Sequence, residues 1–294
     1  MSRTELYGSR RLAEGYPELE SISTEWFSES LSHDTGQEAR VARVLELLDR
    51  LVDVGTIARI AVVGCGPRPE TVRILAGRGF DVVGIEPVAG HVDRAREFLA
   101  GAATVVAGTA ESLTLADGSQ QIVFLESVLE HVDSPIHSLE ETYRVLAPGG
   151  IAFVVTTNRL QLALNRKGAE FNVRFYNWLP ALVKECYVHR HLHYDPRLAN
   201  YTPRPAVHWF TFNSLCALGR TAGFAQFYSH IDLVRREDTS VRSSALKRRL
   251  ANLVRLNPWA RALALTQVGG VVIMRKRASD TASEPRRDRE EERT

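Results

Sequence analysis

Cysteine is scarce in this chain of 294 residues: Cys65, Cys186 and Cys216 are the only three, and they lie too far apart for a zinc or dithiol spacing. A disulfide scaffold is thereby excluded, and reduced thiols in a cytoplasmic protein are expected. Charge of one sign is also missing. The formal net charge is +2, so no polyanion is recognised by the chain as a whole, and any basic partner surface must be local. With no second nucleic-acid module, a nucleic-acid partner is not expected. No apolar run is long enough to span a bilayer. The opening MSRTELYGSRRLAEGYPE lacks the apolar centre of a signal peptide. No internal repeat is visible.

What is present is alternation. Val41, Val44, Leu45, Leu48, Leu51 and Val52 recur at helical spacing and predict an amphipathic helix over 37–54. Strand and helix signals then follow in turn: strands at 60–63, 80–86, 104–108, 121–127 and 149–157, helices at 70–78, 88–99 and 136–146. Repeated βα units with apolar strands imply a parallel sheet covered on both faces. The pattern breaks after Asn158. Residues 159–208 are rich in Arg, His, Tyr and Pro without a clean period. It resumes with a helix over 211–224, opened by Thr211 and stopped by Gly223. AQFYSHIDLV (225–234) reads as a strand, 238–264 as mostly helical and basic, and QVGGVVIMRKR (267–277) as a last strand. The expected organisation is a polar segment 1–35, a core 36–158, an insertion 159–208, a second core part 209–277, and a charged, disordered tail 278–294.

The first strand feeds RIAVVGCGPRPE, in which Gly64-Cys65-Gly66 makes a tight turn of the kind that brings backbone close to a nucleotide. A dinucleotide fingerprint requires a third glycine, and here that place is Pro69, which counts against a nicotinamide dehydrogenase. Glu86 closes the second strand, where a carboxylate can hold both ribose hydroxyls of either cofactor class.

The stretch GTAESLTLADGSQQIVFLESVLEHVDSPIHSLEETYRVLAPGGIAFVVTTN (108–158) decides between them. Its SVLEHV and RVLAPGG segments, at this distance from Gly64, closely resemble the class I S-adenosylmethionine-dependent methyltransferases, in particular those related to the quinone-biosynthesis enzymes. The resemblance covers about residues 36–158 and, weakly, 208–277. It implies a Rossmann-like, seven-stranded, mostly parallel α/β sheet with helices on both faces and an insertion after strand five. S-adenosylmethionine is the implied cofactor. By the same resemblance, Gly64, Cys65 and Gly66 pass under its methionine part, and Glu86, followed by Pro87, binds the ribose. Ala110 and Glu111 lie beside the adenine, Glu126 and Ser127 flank the sulfonium, and Glu130 and His131 face the acceptor. The family's usual residues are replaced by Val62, Arg68, Thr109 and Gln121.

Methyl transfer to oxygen or nitrogen releases a proton, and His131, of the residue type most often used as a general base, is the candidate base; the competing role is a cap or packing group at the following helix. His189, His191 and His193 alternate as metal ligands on a strand would, with Asp195 nearby, but no acid pair or cysteine completes a set, so no metal is expected. His208 lines the pocket or caps the next helix. Trp26 and Phe27 dock the N-terminal helix, the competing role being a cover over the cofactor. Arg159, Arg166, Arg174, Arg190, Arg197 and Arg204, with Tyr176, Trp178, Tyr187 and Tyr201, suit an acceptor carrying a carboxylate, phosphate or sugar. Arg242, Lys247, Arg248, Arg249, Arg255 and Arg261 form a solvated face, a peripheral contact with anionic lipid or a grip on an acidic acceptor. The expected activity is methylation, foremost at oxygen, of a small-molecule, sugar or lipid-linked acceptor. A quinone-type carbon methyltransferase and a non-enzymatic cofactor binder are the alternatives.

Overall fold

A computed structural model describes residues 36–161, 175–180, 182–184, 206, 208–233, 254, 257–268 and 270–278. The expected segments 1–35, most of 159–208, most of 238–264 and the tail beyond Ala278 lie outside these residues, and with them Trp26, Phe27, the three alternating histidines, Tyr187, Tyr201, most of the arginines of the insertion, and Arg242, Lys247, Arg248, Arg249 and Arg255 of the basic stretch.

The described elements are α1 (Gln37–Leu48), β1 (Arg59–Val63), α2 (Glu70–Gly77), β2 (Asp81–Glu86), α3 (Ala89–Leu99), β3 (Thr104–Ala107), β4 (Gln120–Glu126), α4 (Pro135–Val145), β5 (Leu146–Val155), α5 (Phe212–Thr221), β6 (Gln226–Tyr228), α6 (His230–Leu233), α7 (Pro258–Val268) and β7 (Val271–Arg275). The seven strands form one sheet in the order β3-β2-β1-β4-β5-β7-β6. β3, β2, β1, β4 and β5 pair in parallel, and β7 joins β5 and β6 antiparallel. The Rossmann-like seven-stranded, mostly parallel architecture is therefore observed.

Strand alternation divides the core in two. Ile60, Val62, Ile122, Phe124, Ile151 and Phe153 face one side and meet Val41, Leu45 and Leu48 of α1, Val72 and Leu75 of α2, and Val92, Ala95 and Leu99 of α3. Ala61, Val63, Val123, Leu125, Ala152 and Val154 face the other and meet Leu139 and Val145 of α4 and Leu215 and Cys216 of α5. Both faces of the inner strands are dry, which is why those strands read as continuous apolar runs. Each fully buried Leu, Ile or Phe among them contributes about 1.5–3 kcal/mol over its exposed state.

Local chemistry sets the helix ends. Ser134 opens α4 by accepting a hydrogen bond from His137 N at 3.4 Å, with Pro135 directly inside. Thr211 and Ser214 form a reciprocal capping box at α5, as Thr211 foretold. α1 is shorter than its apolar pattern: it stops at Leu48, and Asp53 caps the short turn Val54–Thr56 that leads into β1. β5 begins earlier than expected, because the register shifts between Gln120 and Ile122 and the Ala147-Pro148-Gly149-Gly150 segment bulges out opposite.

The expected strand over 225–234 is corrected. Only Gln226–Tyr228 pairs with β7. Ser229 then stops it: both its N–H and its hydroxyl donate to Asp232 Oδ2, at 2.8 and 2.7 Å, and the chain turns into α6. The last strand is also shorter than expected, since α7 runs on to Val268 before β7 starts at Val271.

Candidate cofactor site

In a sheet of this order, neighbouring connections leave in opposite directions from the carboxyl ends of β1 and β4, and the crevice between them is where ligands bind. The residues singled out in the sequence come to this edge. Gly64–Gly66 follow β1, Glu86 and Pro87 end β2, Ala110 and Glu111 follow β3, and Glu126 and Ser127 end β4.

The β1 turn is held from behind. Gly64 N and Cys65 N both donate to Ile85 O, at 2.8 and 3.1 Å. Gly64 has φ +65° and a side-chain carbon there would lie 2.7 Å from Val128 Cγ2, so only glycine fits. Gly66 differs: φ is +71°, but a carbon added there meets nothing within 4 Å. That open space in front of the turn is the room a ligand requires. The Cys65 thiol does not face it. It packs on Gly84 of β2, and burial together with the Glu86 charge pushes it up to about 12. Cys65 therefore offers the crevice its backbone alone.

Glu86 is 4% exposed, yet its carboxylate has a well-defined seat. Oε2 accepts from Gly66 N at 2.9 Å and Oε1 from Val88 N at 3.2 Å. His91 of α3, itself buried, brings Nδ1 to 3.4 Å from Oε1. A carboxylate with two oxygens has capacity left for further donors. His91 was not among the sequence candidates. Its signal was a polar residue in register with Val92, Ala95 and Leu99 on the buried stripe of α3.

Glu126 is engaged as well. Arg40 of α1 grips it in a fork, Nη1 to Oε1 at 2.5 Å and Nη2 to Oε2 at 3.1 Å, and also reaches Thr71 Oγ1 of α2 at 3.0 Å. Arg40 was likewise missed, and one charged position on an amphipathic helix gave no signal. Ser127 follows in a left-handed conformation, φ +54°, exposed at the crevice. Such a backbone in a residue other than glycine stores strain and is concentrated at functional sites. Glu111 Oε1 accepts from Asp133 N at 2.8 Å and Ser134 N at 3.4 Å, tying the β3 loop to the start of α4. Ala110 beside it is buried.

The acceptor-side residues separate. Glu130 is turned into the protein, where Thr156 Oγ1 donates to Oε2 at 2.7 Å. His131 stays half-buried, its N–H donating to Val128 O at 2.9 Å. His208 does not cap α5, since Thr211 does; its Nε2 lies 2.9 Å from Val132 O and ties the returning chain to the β4 loop. Among the described residues no group of His, Cys, Asp and Glu could hold a metal ion.

The substitutions of the family's usual residues have local reasons. Gln121 lies at the opposite end of β4, where its Oε1 accepts from Ala58 N and Arg59 N at 2.7 and 3.0 Å, so it does not bear on the crevice. Val62 is a core residue of the α1–α3 face. The Arg68 guanidinium rests over the Phe98 ring of α3, 5.4 Å from its centroid. Thr109 opens a turn that Ser112 closes. Pro69 has no N–H to offer, and Glu70 places a carboxylate in the first turn of α2. A pyrophosphate seat needs donors and positive potential at that helix start, so the dinucleotide reading fails on chemistry as well as on pattern.

Part of the chain is similar to known proteins. The profile of the methyltransferase domain family matches residues 61–154. A ubiquinone biosynthesis O-methyltransferase of Azorhizobium caulinodans is 34% identical over 150 residues, covering 49% of this chain and 54% of that protein. A biotin biosynthesis bifunctional protein of Cellvibrio japonicus is 32% identical over 120 residues, 41% of this chain and 23% of the other. Among solved structures, an S-adenosylmethionine-dependent methyltransferase from Archaeoglobus fulgidus aligns at TM-score 0.45 and 16% identity, over 81% of this chain and 92% of that one. The chain spans about half the length, or less, of the curated relatives it matches. Residues 61–154, which contain β2 to β4 and most of β1 and β5 with the crevice at their carboxyl ends, thus match a methyltransferase domain. The chain is similar to ubiquinone biosynthesis O-methyltransferases over 49% of its length, the part that holds the methyltransferase domain match.

Proposed function

We propose that this protein transfers the methyl group of S-adenosylmethionine to an oxygen of a small-molecule, sugar or lipid-linked acceptor. The observation that carries the reading is the Glu86 carboxylate, buried at the end of β2 and seated on Gly66 N beside an open turn. There it accepts hydrogen bonds from vicinal ribose hydroxyls, and the Gly64–Gly66 backbone runs under the methionine part. Ala110 and Glu111 border the adenine. Glu126, held by Arg40, and Ser127 border the reacting carbon.

The cofactor supplies an activated methyl group on a sulfonium. What remains for the protein is alignment of the acceptor oxygen, exclusion of water and removal of one proton. His131 takes that proton, from the loop after β4. Oxygen is favoured as the acceptor atom because a histidine base is useful there. Residues 159–208 contribute the acceptor pocket.

The test is titration of the protein with S-adenosylmethionine and with a nicotinamide dinucleotide, followed by methyl transfer across a panel of phenolic, sugar and lipid-linked hydroxyl acceptors. Binding of the methyl donor alone, with transfer to a hydroxyl acceptor, is the expected result. Tight binding without transfer to any acceptor favours a non-enzymatic role, and dinucleotide binding overturns the reading.

A further inference from the structure

Two loops at the crevice edge are joined by one carboxylate. The first runs from β3 to β4 and carries Ala110 and Glu111; the second runs from β4 to α4 and carries His131. Glu111 stands in the first loop, yet its Oε1 accepts from Asp133 N at 2.8 Å and Ser134 N at 3.4 Å in the second, two and three residues beyond His131. Ser134 also opens α4: its hydroxyl accepts from His137 N, and its carbonyl accepts from Ser138 N at 3.0 Å and Ser138 Oγ at 3.1 Å. The Glu111 charge therefore sits at the positive end of α4, where a carboxylate is favoured.

The loop of His131 is held from two sides. Val128, Leu129 and Val132 bury their side chains in the core cluster that also takes Ala110 and Leu113. On the side of the returning chain, His208 N donates to Glu130 O at 3.3 Å and His208 Nε2 lies 2.9 Å from Val132 O, so the residues flanking His131 are held at their carbonyls. Glu111 holds the next two at their N–H groups. The first loop is fixed to α4 as well, but farther on: Glu141 Oε2 accepts from Leu113 N at 2.9 Å, and Arg144 donates to Leu113 O and Leu115 O, both at 2.8 Å. Glu141 and Arg144 are themselves paired at 2.7 Å. From Leu113 onward the loop is thus clamped to the body of α4. Before it, the Thr109–Ser112 turn meets the start of α4 through Glu111.

We propose that Glu111 is a positioning residue that couples cofactor occupancy to His131. Its backbone borders the adenine, while its carboxylate sets the backbone of Asp133 and Ser134 and, through it, the aim of the imidazole. The inference rests on the methyl-transfer reading for the places of adenine and base. An adenine packed on Ala110 and Glu111 restricts a turn whose far end is already clamped at Leu113, so the restriction is passed to the two N–H···O contacts. Those contacts are charge-assisted. They lie where Asp133 is exposed and Glu111 half-buried, so in the free protein they open more readily than the core beneath. Two sites are coupled when one binding event orders what the other requires.

Amide hydrogen exchange, resolved residue by residue by NMR, is measured on the full chain with and without saturating S-adenosylhomocysteine, whose affinity is read by calorimetry. In wild type the ligand is expected to slow exchange at Asp133 and Ser134 by about tenfold or more. Glu111→Ala is expected to bind the ligand within about fivefold of wild type, because the backbone contact remains, and to lose that slowing. Glu111→Gln keeps an acceptor oxygen and is expected to restore part of it. Faster exchange in Glu111→Ala with the ligand-induced slowing intact shows a purely structural role and overturns the proposal. So does a wild-type protein that binds S-adenosylhomocysteine and exchanges both amides equally fast with and without it, a result that needs no variant. A folded Glu111→Ala protein with a larger loss of ligand affinity makes the side chain itself an adenine contact and also overturns it. Absence of binding to wild type is seen in the calorimetry alone and overturns the cofactor reading together with this one.

Discussion

Replacing Glu86 by Ala removes one side chain with two separable duties. In the free protein its oxygens satisfy Gly66 N and Val88 N, at 2.9 and 3.2 Å. Losing those acceptors costs about 1 kcal/mol of stability for each bond, a modest fall in melting temperature with the fold retained. In the proposed complex the same carboxylate accepts two ribose hydroxyls. Hydrogen bonds to a charged group contribute about 1.5–3 kcal/mol each, so their combined loss is about 3–6 kcal/mol, or roughly 10²–10⁴-fold in Kd. Calorimetric titration with S-adenosylmethionine and with S-adenosylhomocysteine, which share the ribose, reads the effect, and circular dichroism confirms the fold. Both ligands are expected to weaken by the same factor, because the methyl group plays no part in this contact. Glu86→Gln keeps one acceptor oxygen and is expected to fall between. A folded Glu86→Ala protein that binds either ligand within threefold of wild type refutes the assignment of the ribose to this carboxylate.

Three further outcomes are expected. His131→Ala lowers turnover by about 10²–10⁴-fold with cofactor affinity unchanged if the imidazole takes the acceptor proton; a variant within a few-fold of wild type shows that His131 only packs. Cys65, pushed up to about 12 by burial and the Glu86 charge, stays a thiol at pH 8, and mass spectrometry is expected to find it alkylated far more slowly than glutathione. Burial works to raise the Asp232 carboxyl, but the hydrogen bonds from Arg261 and Ser229 outweigh it and hold it below the usual range. A depressed carboxylate stabilises the fold above its unfolded pKa and loses that contribution as pH falls through the folded value. Thermal melts below pH 4 are therefore expected to bring wild type toward Asp232→Asn, and parallel curves down to pH 2 count against the pair.

The alternation of strands and helices and the Gly64-Cys65-Gly66 turn were legible in the sequence because their causes are local. Period two and period 3.6 are written in consecutive residues, and a turn or a cap is settled by the few side chains that make it. The stop at Ser229 was equally local: Ser229 and Asp232 stand three apart in the sequence, yet the apolar alternation of 225–234 suggested a strand across them. Strand order was a different matter. That β7 enters antiparallel between β5 and β6 follows from Val155 meeting Val271, residues far apart in the chain, and no window of sequence contains both. The same holds for the crevice. Glu86 was readable as the acid ending a strand, but the bond from Gly66 N to its carboxylate depends on β1 and β2 lying side by side in register. Arg40 was unreadable, since its partner Glu126 is 86 positions away and is reached only when α1 packs over the carboxyl end of β4. Local propensity names the elements, whereas contacts between chemically ordinary residues, such as one arginine on one helix, acquire meaning only when packing of the two core faces brings the elements together.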